Sequence, residues 1–249
     1  MKASSAYAPW LTPLYVGVVQ LGAYATARLP AQERAELLRA HSTNVDNLRA
    51  GRWRTLATSA VFVESPLPVP YGLALLAALG TAEAAWGTRR AAGMFAAGHI
   101  GASLLVYGGL RAARALPHKA VTPDTERAVD VGASYGFYAT VGALAVSVPH
   151  RGARAAATAG VLALGVGPML NRRRDFTDAG HLAALLLGMG AGAAFKIRHR
   201  AAVPLRLPSS TAPRSRSTAG PRNRRTPALL RRRTAAPRRR PFRAGPQAT

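Results

Sequence analysis

The sequence predicts an all-α polytopic membrane protein, six transmembrane helices followed by a disordered basic tail. Three observations predict it. Six stretches of membrane length carry no charge, or a single one. Where a soluble helix would turn a charged face to water, they carry Gly, Ala, Ser and Tyr. The charge is also partitioned: residues 198–249 hold fifteen arginines, eight prolines and no acidic residue, whereas residues 1–197 carry only +9 of the net +24. The mean hydropathy of +0.04 averages these two unlike pieces and so resembles that of a soluble protein.

The first stretch, 9–27, has 19 uncharged residues. It has some marks of a secretory signal, with Lys2 ahead of it and Ala25-Thr26-Ala27 as a cleavage-like site. Pro13, Gln20 and Gly22 interrupt its apolar run and Arg28 follows at once, so a retained helix is expected. A long connection runs over 28–70. Residues 31–40 are charged and helix-prone, 41–47 polar and turn-like, and 49–62 amphipathic, with Trp53 between Arg52 and Arg54. Trp and Arg together suit the headgroup layer, where a ring sits half-wet and a guanidinium reaches phosphate.

Pro66, Pro68 and Pro70 forbid regular helix, so the second stretch, 71–86, starts near Pro70. Stretches three to six cover 91–110, 131–149, 155–171 and 179–195. A span needs roughly 20 mostly apolar residues, within about 17–25. The third and fourth stretches meet this well; the second, fifth and sixth are short. Six spans put both termini on one side, and the arginine-rich tail makes that side cytoplasmic. The basic loops 87–90 and 150–154 then also lie inside, whereas Arg172, Arg173 and Arg174 fall outside, at the headgroups.

The chain has no cysteine, which excludes disulfides, thiolate metal sites and a cysteine nucleophile. The tail offers too little apolar surface to offset its ordering entropy and self-repulsion. Its expected role is attachment to anionic lipid. Phosphate neutralisation by arginine also allows loose contact with nucleic acid, but Phe242 is the tail's sole aromatic, so base stacking is poorly supported.

Polar residues inside spans are costly and therefore informative. Glu83, His99, Ser134 and His181 stand out. Ser134 lies early in the fourth stretch and His181 early in the sixth. These two helices run parallel if all six span, so the residues share a depth. A serine and a histidine brought together form the minimum for nucleophilic catalysis, because the imidazole must take the hydroxyl proton as attack begins. Gly132, Ala133 and Gly136 around Ser134, and Ala184, Gly188 and Gly192 on the helix of His181, let helices approach closely. Glu83 reads as a structural hydrogen-bonding group, and His99, between Gly98 and Gly101, as a packing or polar-network residue. Asp178, three residues before His181, either caps its helix or orients the imidazole. A His99–His181 metal pair lacks a carboxylate at matching spacing, and no cofactor is implied.

These residues carry a resemblance. The chain resembles the rhomboid intramembrane serine proteases over about residues 9–195, in particular the divergent actinobacterial rhomboid-like membrane proteins. Gly132-Ala133-Ser134 is similar to the family's Gly-x-Ser-Gly nucleophile motif, with Tyr135 in place of the second glycine and Gly136 one position late. Tyr138 stands four after the serine, where the family packs an aromatic on its histidine, and Gly142 stands eight after. Gly180-His181, with Ala184 and Gly188, matches the family's sixth helix. Trp53-Arg54 resembles its Trp-Arg pair, and Glu83 with Gly87 the end of its second helix.

The resemblance implies six helices around a water-accessible cavity, with a Ser134–His181 dyad that cleaves transmembrane-helix substrates in a bacterial plasma membrane. Family proteases hold the oxyanion with a His and an Asn near the start of the second helix. Those positions fall near Leu67 and Tyr71 here. The Ser134 N–H remains a donor, and His41, Asn44 or Asn47 of the long loop are the candidates to replace the missing groups. Two other functions stay open. One is a catalytically impaired rhomboid-like protein that binds transmembrane partners. The other is a tethered binding module whose function is the tail.

Overall fold

The structure is a computed structural model that describes residues 8–114, 128–170 and 176–201. Lys2, Arg172–Arg174 and the basic tail beyond residue 201 fall outside the described residues, all of which belong to the unit Met1–Pro204, and residues 198–201, expected to be part of a disordered tail, continue the last helix. Those residues form α-helices joined by turns: α1 Leu11–Ala27, α2 Ala31–His41, α3 Val45–Arg49, α4 Thr55–Thr58, α5 Val69–Trp86, α6 Thr88–Arg114, α7 Ser134–Ser147, α8 Arg151–Val166 and α9 Phe176–Ala201. A 3-10 turn, Pro168–Leu170, follows α8.

Each uncharged stretch has become a helix, but not each to membrane length. Thr88–Ala112, Arg151–Leu170 and Phe176–Phe195 are long and apolar enough to cross a membrane. The other three helices, α1, α5 and α7, have 17, 18 and 14 residues. At 1.5 Å per residue α7 is about 21 Å long, short of a hydrocarbon layer of about 30 Å. It can be short because protein surrounds it: Tyr135, Gly136, Ala139, Thr140, Gly142, Ala143 and Ala145 are all buried. Its start is set by Gly132, at φ 137°, and its end by the approach to Pro149.

Small residues fix how α6, α7 and α9 meet. A Cβ at Gly188 would overlap the Ala139 carbonyl, and one at Gly142 the Leu185 carbonyl. Gly98 of α6 also meets Ala139. The helices thus pack backbone to backbone, where dispersion replaces the missing hydrophobic drive between helices in lipid.

At the opposite end from Ser134, Glu83 ties three helices together. Its buried carboxylate accepts from the Leu11 and Thr12 N–H groups at 3.0 and 2.9 Å, from Thr12 Oγ1 at 2.7 Å and from Thr88 Oγ1 at 2.8 Å. The first amides of a helix lack intrahelical partners, and a carboxylate there also meets the positive end of the helix dipole.

The long connection folds differently from its pattern. Within the amphipathic run 49–62, Arg49 ends α3 and Thr55–Thr58 form α4. Gly51, at φ 73°, breaks the run in a conformation that side-chain-bearing residues rarely adopt. Residues 41–47 are not wholly a turn: Asn44 caps α3 by accepting from the Asn47 N–H at 2.8 Å. Pro70 sits in the first turn of α5, where its missing N–H costs nothing.

Candidate functional site

The site forms where α7 and α9 begin. Gly132 donates its N–H to the Ser59 carbonyl at 2.7 Å, which anchors the turn to the long loop. Ser134 is the first residue of α7. The helical ladder starts with Phe137 N–H to the Ala133 carbonyl at 2.9 Å. The N–H groups of Ser134, Tyr135 and Gly136 therefore have no partner within the helix and lie at its positive end.

His181 lies in the second turn of α9. Its imidazole stacks on the Tyr138 ring, with centroids 4.6 Å apart and an interplanar angle of 19°. Tyr135 meets the same imidazole edge to face, at 5.5 Å and 70°. Ser134 and Tyr138 are four apart on α7 and so share a helix face. The aromatic that holds the imidazole is thus one turn from the serine. Ser134 and His181 are both partly exposed, and Asp178 lies in the first turn of α9.

Tyr135, in the place of a motif glycine, is only 2% exposed. Its hydroxyl end fits over Gly180, where a Cβ would overlap the phenol. Its other side faces His99, with ring centroids 6.0 Å apart. The same phenol ring thus packs near both imidazoles. Gly136, one residue later, has the Phe95 ring over its backbone.

His99, expected from the sequence to be a packing or polar-network residue, sits in a buried polar network. His99 Nε2 and Ser59 Oγ share a hydrogen bond of 2.9 Å, and Ser59 Oγ pairs with Thr43 Oγ1 at 2.9 Å. Thr43 also donates to the Thr55 carbonyl at 3.0 Å, and its N–H donates to the Asp130 carbonyl at 3.2 Å. This second serine–histidine pair is sealed, with Ser59 1% and His99 4% exposed. It fastens the long loop to α6 and to the turn before α7. The signal that could have found it was the run Thr55, Thr58, Ser59 in an otherwise apolar helix pattern, which needs buried partners.

The remaining candidates have other surroundings. Asn47 donates to the Arg39 and Ser42 carbonyls at 2.8 and 2.7 Å and accepts from Arg52 at 3.3 Å. With Asn44 capping α3, both amides serve the loop itself. His41 stacks on Phe62 at 4.1 Å. Trp53 is exposed, and Arg54 precedes α4. Leu67 donates its N–H to Gln20 Oε1 at 2.9 Å. Tyr71 packs edge to face on Phe137 at 5.7 Å, and its buried hydroxyl has no hydrogen-bond partner among the described residues.

Compared with protein-family models, residues 2–201 match the one described as rhomboid-like protein. No curated protein and no solved structure matches the chain.

Proposed function

The chain belongs to the rhomboid-like protein family, and from that premise we propose that this multi-pass membrane protein is an intramembrane serine protease. The stacking of His181 on Tyr138, one helical turn from Ser134, carries this reading. Ser134 Oγ attacks a peptide carbonyl at the unwound end of a partner's transmembrane helix, and His181 accepts the hydroxyl proton. Tyr138 holds the imidazole in place. The oxyanion forms against the Ser134 N–H at the positive end of α7. His181 then protonates the leaving amine, and water cleaves the acyl-enzyme after giving its proton to His181. Tyr71 supplies a side-chain donor. Leu67 and Leu75, which flank it in sequence, pack in the cluster that contains Ala133, so the face carrying Tyr71 lies against the start of α7. All six apolar helices cross the bilayer in this reading, with both termini cytoplasmic, and the tail is a separate segment held to anionic lipid.

One observation favours a second reading, a helix-binding protein without catalysis. Asn44 and Asn47 are committed to the loop, and Tyr135 occupies the space a glycine would leave beside the serine. Labelling of the detergent-purified protein with a fluorophosphonate separates the two. The protease reading predicts labelling of the parent and none in Ser134→Ala or His181→Ala. An unlabelled parent with intact helical structure contradicts it and leaves the binder.

A further inference from the structure

A cavity of about 430 Å³ lies outside the serine–histidine site, between α3, the turn before α4 and the last turns of α6. Arg49 and Arg111 line it, together with Trp53, Leu48, Leu104 and Tyr107. Among the described residues, no carboxylate does. Tyr107 donates its hydroxyl to Asp130 Oδ2 at 2.9 Å, so the phenol is already engaged. Asp46 and Glu36 line a neighbouring cavity with Arg39 and Arg52. The loop has sorted its charges: one cavity is mixed, and the other holds two guanidiniums over an apolar floor. Both guanidiniums are exposed, and neither has an ion pair or hydrogen bond among the described residues. Below them on α6, Leu104 and Leu105 are 43% and 56% exposed, and in a spanning helix such residues face lipid.

We propose that this groove is a binding site for one anionic phospholipid. Its phosphate sits between Arg49 and Arg111, its glycerol lies beside the Trp53 ring and its acyl chain runs along Leu104. Arginine recognises phosphate with a planar fork of donors, and an amphipathic indole belongs at the same depth. Two free guanidiniums without a carboxylate exclude a cationic occupant, and the apolar floor below them distinguishes a lipid from a free anion.

The test uses Trp53 as its own reporter, in a chain with Trp10→Phe and Trp86→Phe, reconstituted in phosphatidylcholine vesicles. Brominated phosphatidylglycerol is expected to quench Trp53 at a lower mole fraction than brominated phosphatidylcholine. Each arginine should account for about fivefold of that preference. Arg49→Gln with Arg111→Gln should abolish it while the melting temperature in phosphatidylcholine stays unchanged. Equal quenching by the two lipids overturns the proposal. So does a preference that survives in the double variant, which would place the lipid at the basic tail. Quenching indifferent to lipid charge but relieved by an added acidic peptide would make the groove a peptide site instead.

Discussion

One turn of α7 holds both Ser134 and Tyr138, whose ring stacks on His181, so in the protease reading side-chain changes around this turn have distinct expected effects. Tyr138→Phe keeps the stack on His181 and should label with fluorophosphonate near the parent rate. Tyr138→Ala frees the imidazole and should slow labelling. Tyr71→Phe removes one hydroxyl and no packing. If that hydroxyl stabilises the oxyanion, labelling falls by about 10²-fold or more, and a Tyr71→Asn variant recovers part of it. A Tyr71→Phe rate equal to the parent's removes Tyr71 from the mechanism. The stacking of Tyr138 on His181 was legible in the sequence, because the resemblance places an aromatic four residues after Ser134 against that histidine. Ser59 and Thr43 were not, because a hydroxyl that pairs with His99 forty residues away leaves no local periodicity.

The helices show which parts of the pattern transferred and which did not. The rows Ala184, Gly188, Gly192 and Gly142 were readable as close-approach surfaces, since only small side chains let backbones touch. Helix length was less readable. The stretch 131–149 is uncharged over its whole length, yet α7 has 14 residues, because burial within the bundle rather than lipid thickness explains its apolarity. Nor did the amphipathic run 49–62 show that Gly51 divides it between the end of α3 and α4. Gly188→Val should drive a branched side chain into the Ala139 backbone and cost about 3 kcal/mol or more, seen as a lowered melting temperature. Glu83→Ala should also destabilise, by about 3 kcal/mol, because it orphans the buried donors of Leu11, Thr12 and Thr88 at once. Glu83→Gln, which keeps an acceptor oxygen, should lose less.

For the whole molecule, the absence of cysteine makes topology directly measurable. The six-span arrangement puts Arg89 and Arg151 on one side of the membrane and Glu64 on the other. Single cysteines at these three exposed positions should therefore divide two to one in their reaction with an impermeant maleimide on sealed vesicles. Reaction of all three from the same side would contradict six spans. The tail was legible only as composition, since an arginine- and proline-rich segment with few large apolar residues carries no pattern from which packing can be read. Its deletion after residue 201 should leave fluorophosphonate labelling unchanged while weakening attachment to anionic vesicles.

The protease reading has two serine–histidine combinations to choose from, and it assigns the nucleophile to Ser134 with His181 rather than to Ser59 with His99. Ser59 and His99 already share a hydrogen bond but are sealed, whereas Ser134 and His181 reach the surface where α7 and α9 begin. Mass spectrometric mapping of the fluorophosphonate adduct decides between them. The adduct is predicted on the peptide that contains Ser134, and it should be absent from the His181→Ala protein. An adduct on Ser59, or on Ser134 in the absence of His181, would contradict a Ser134–His181 dyad.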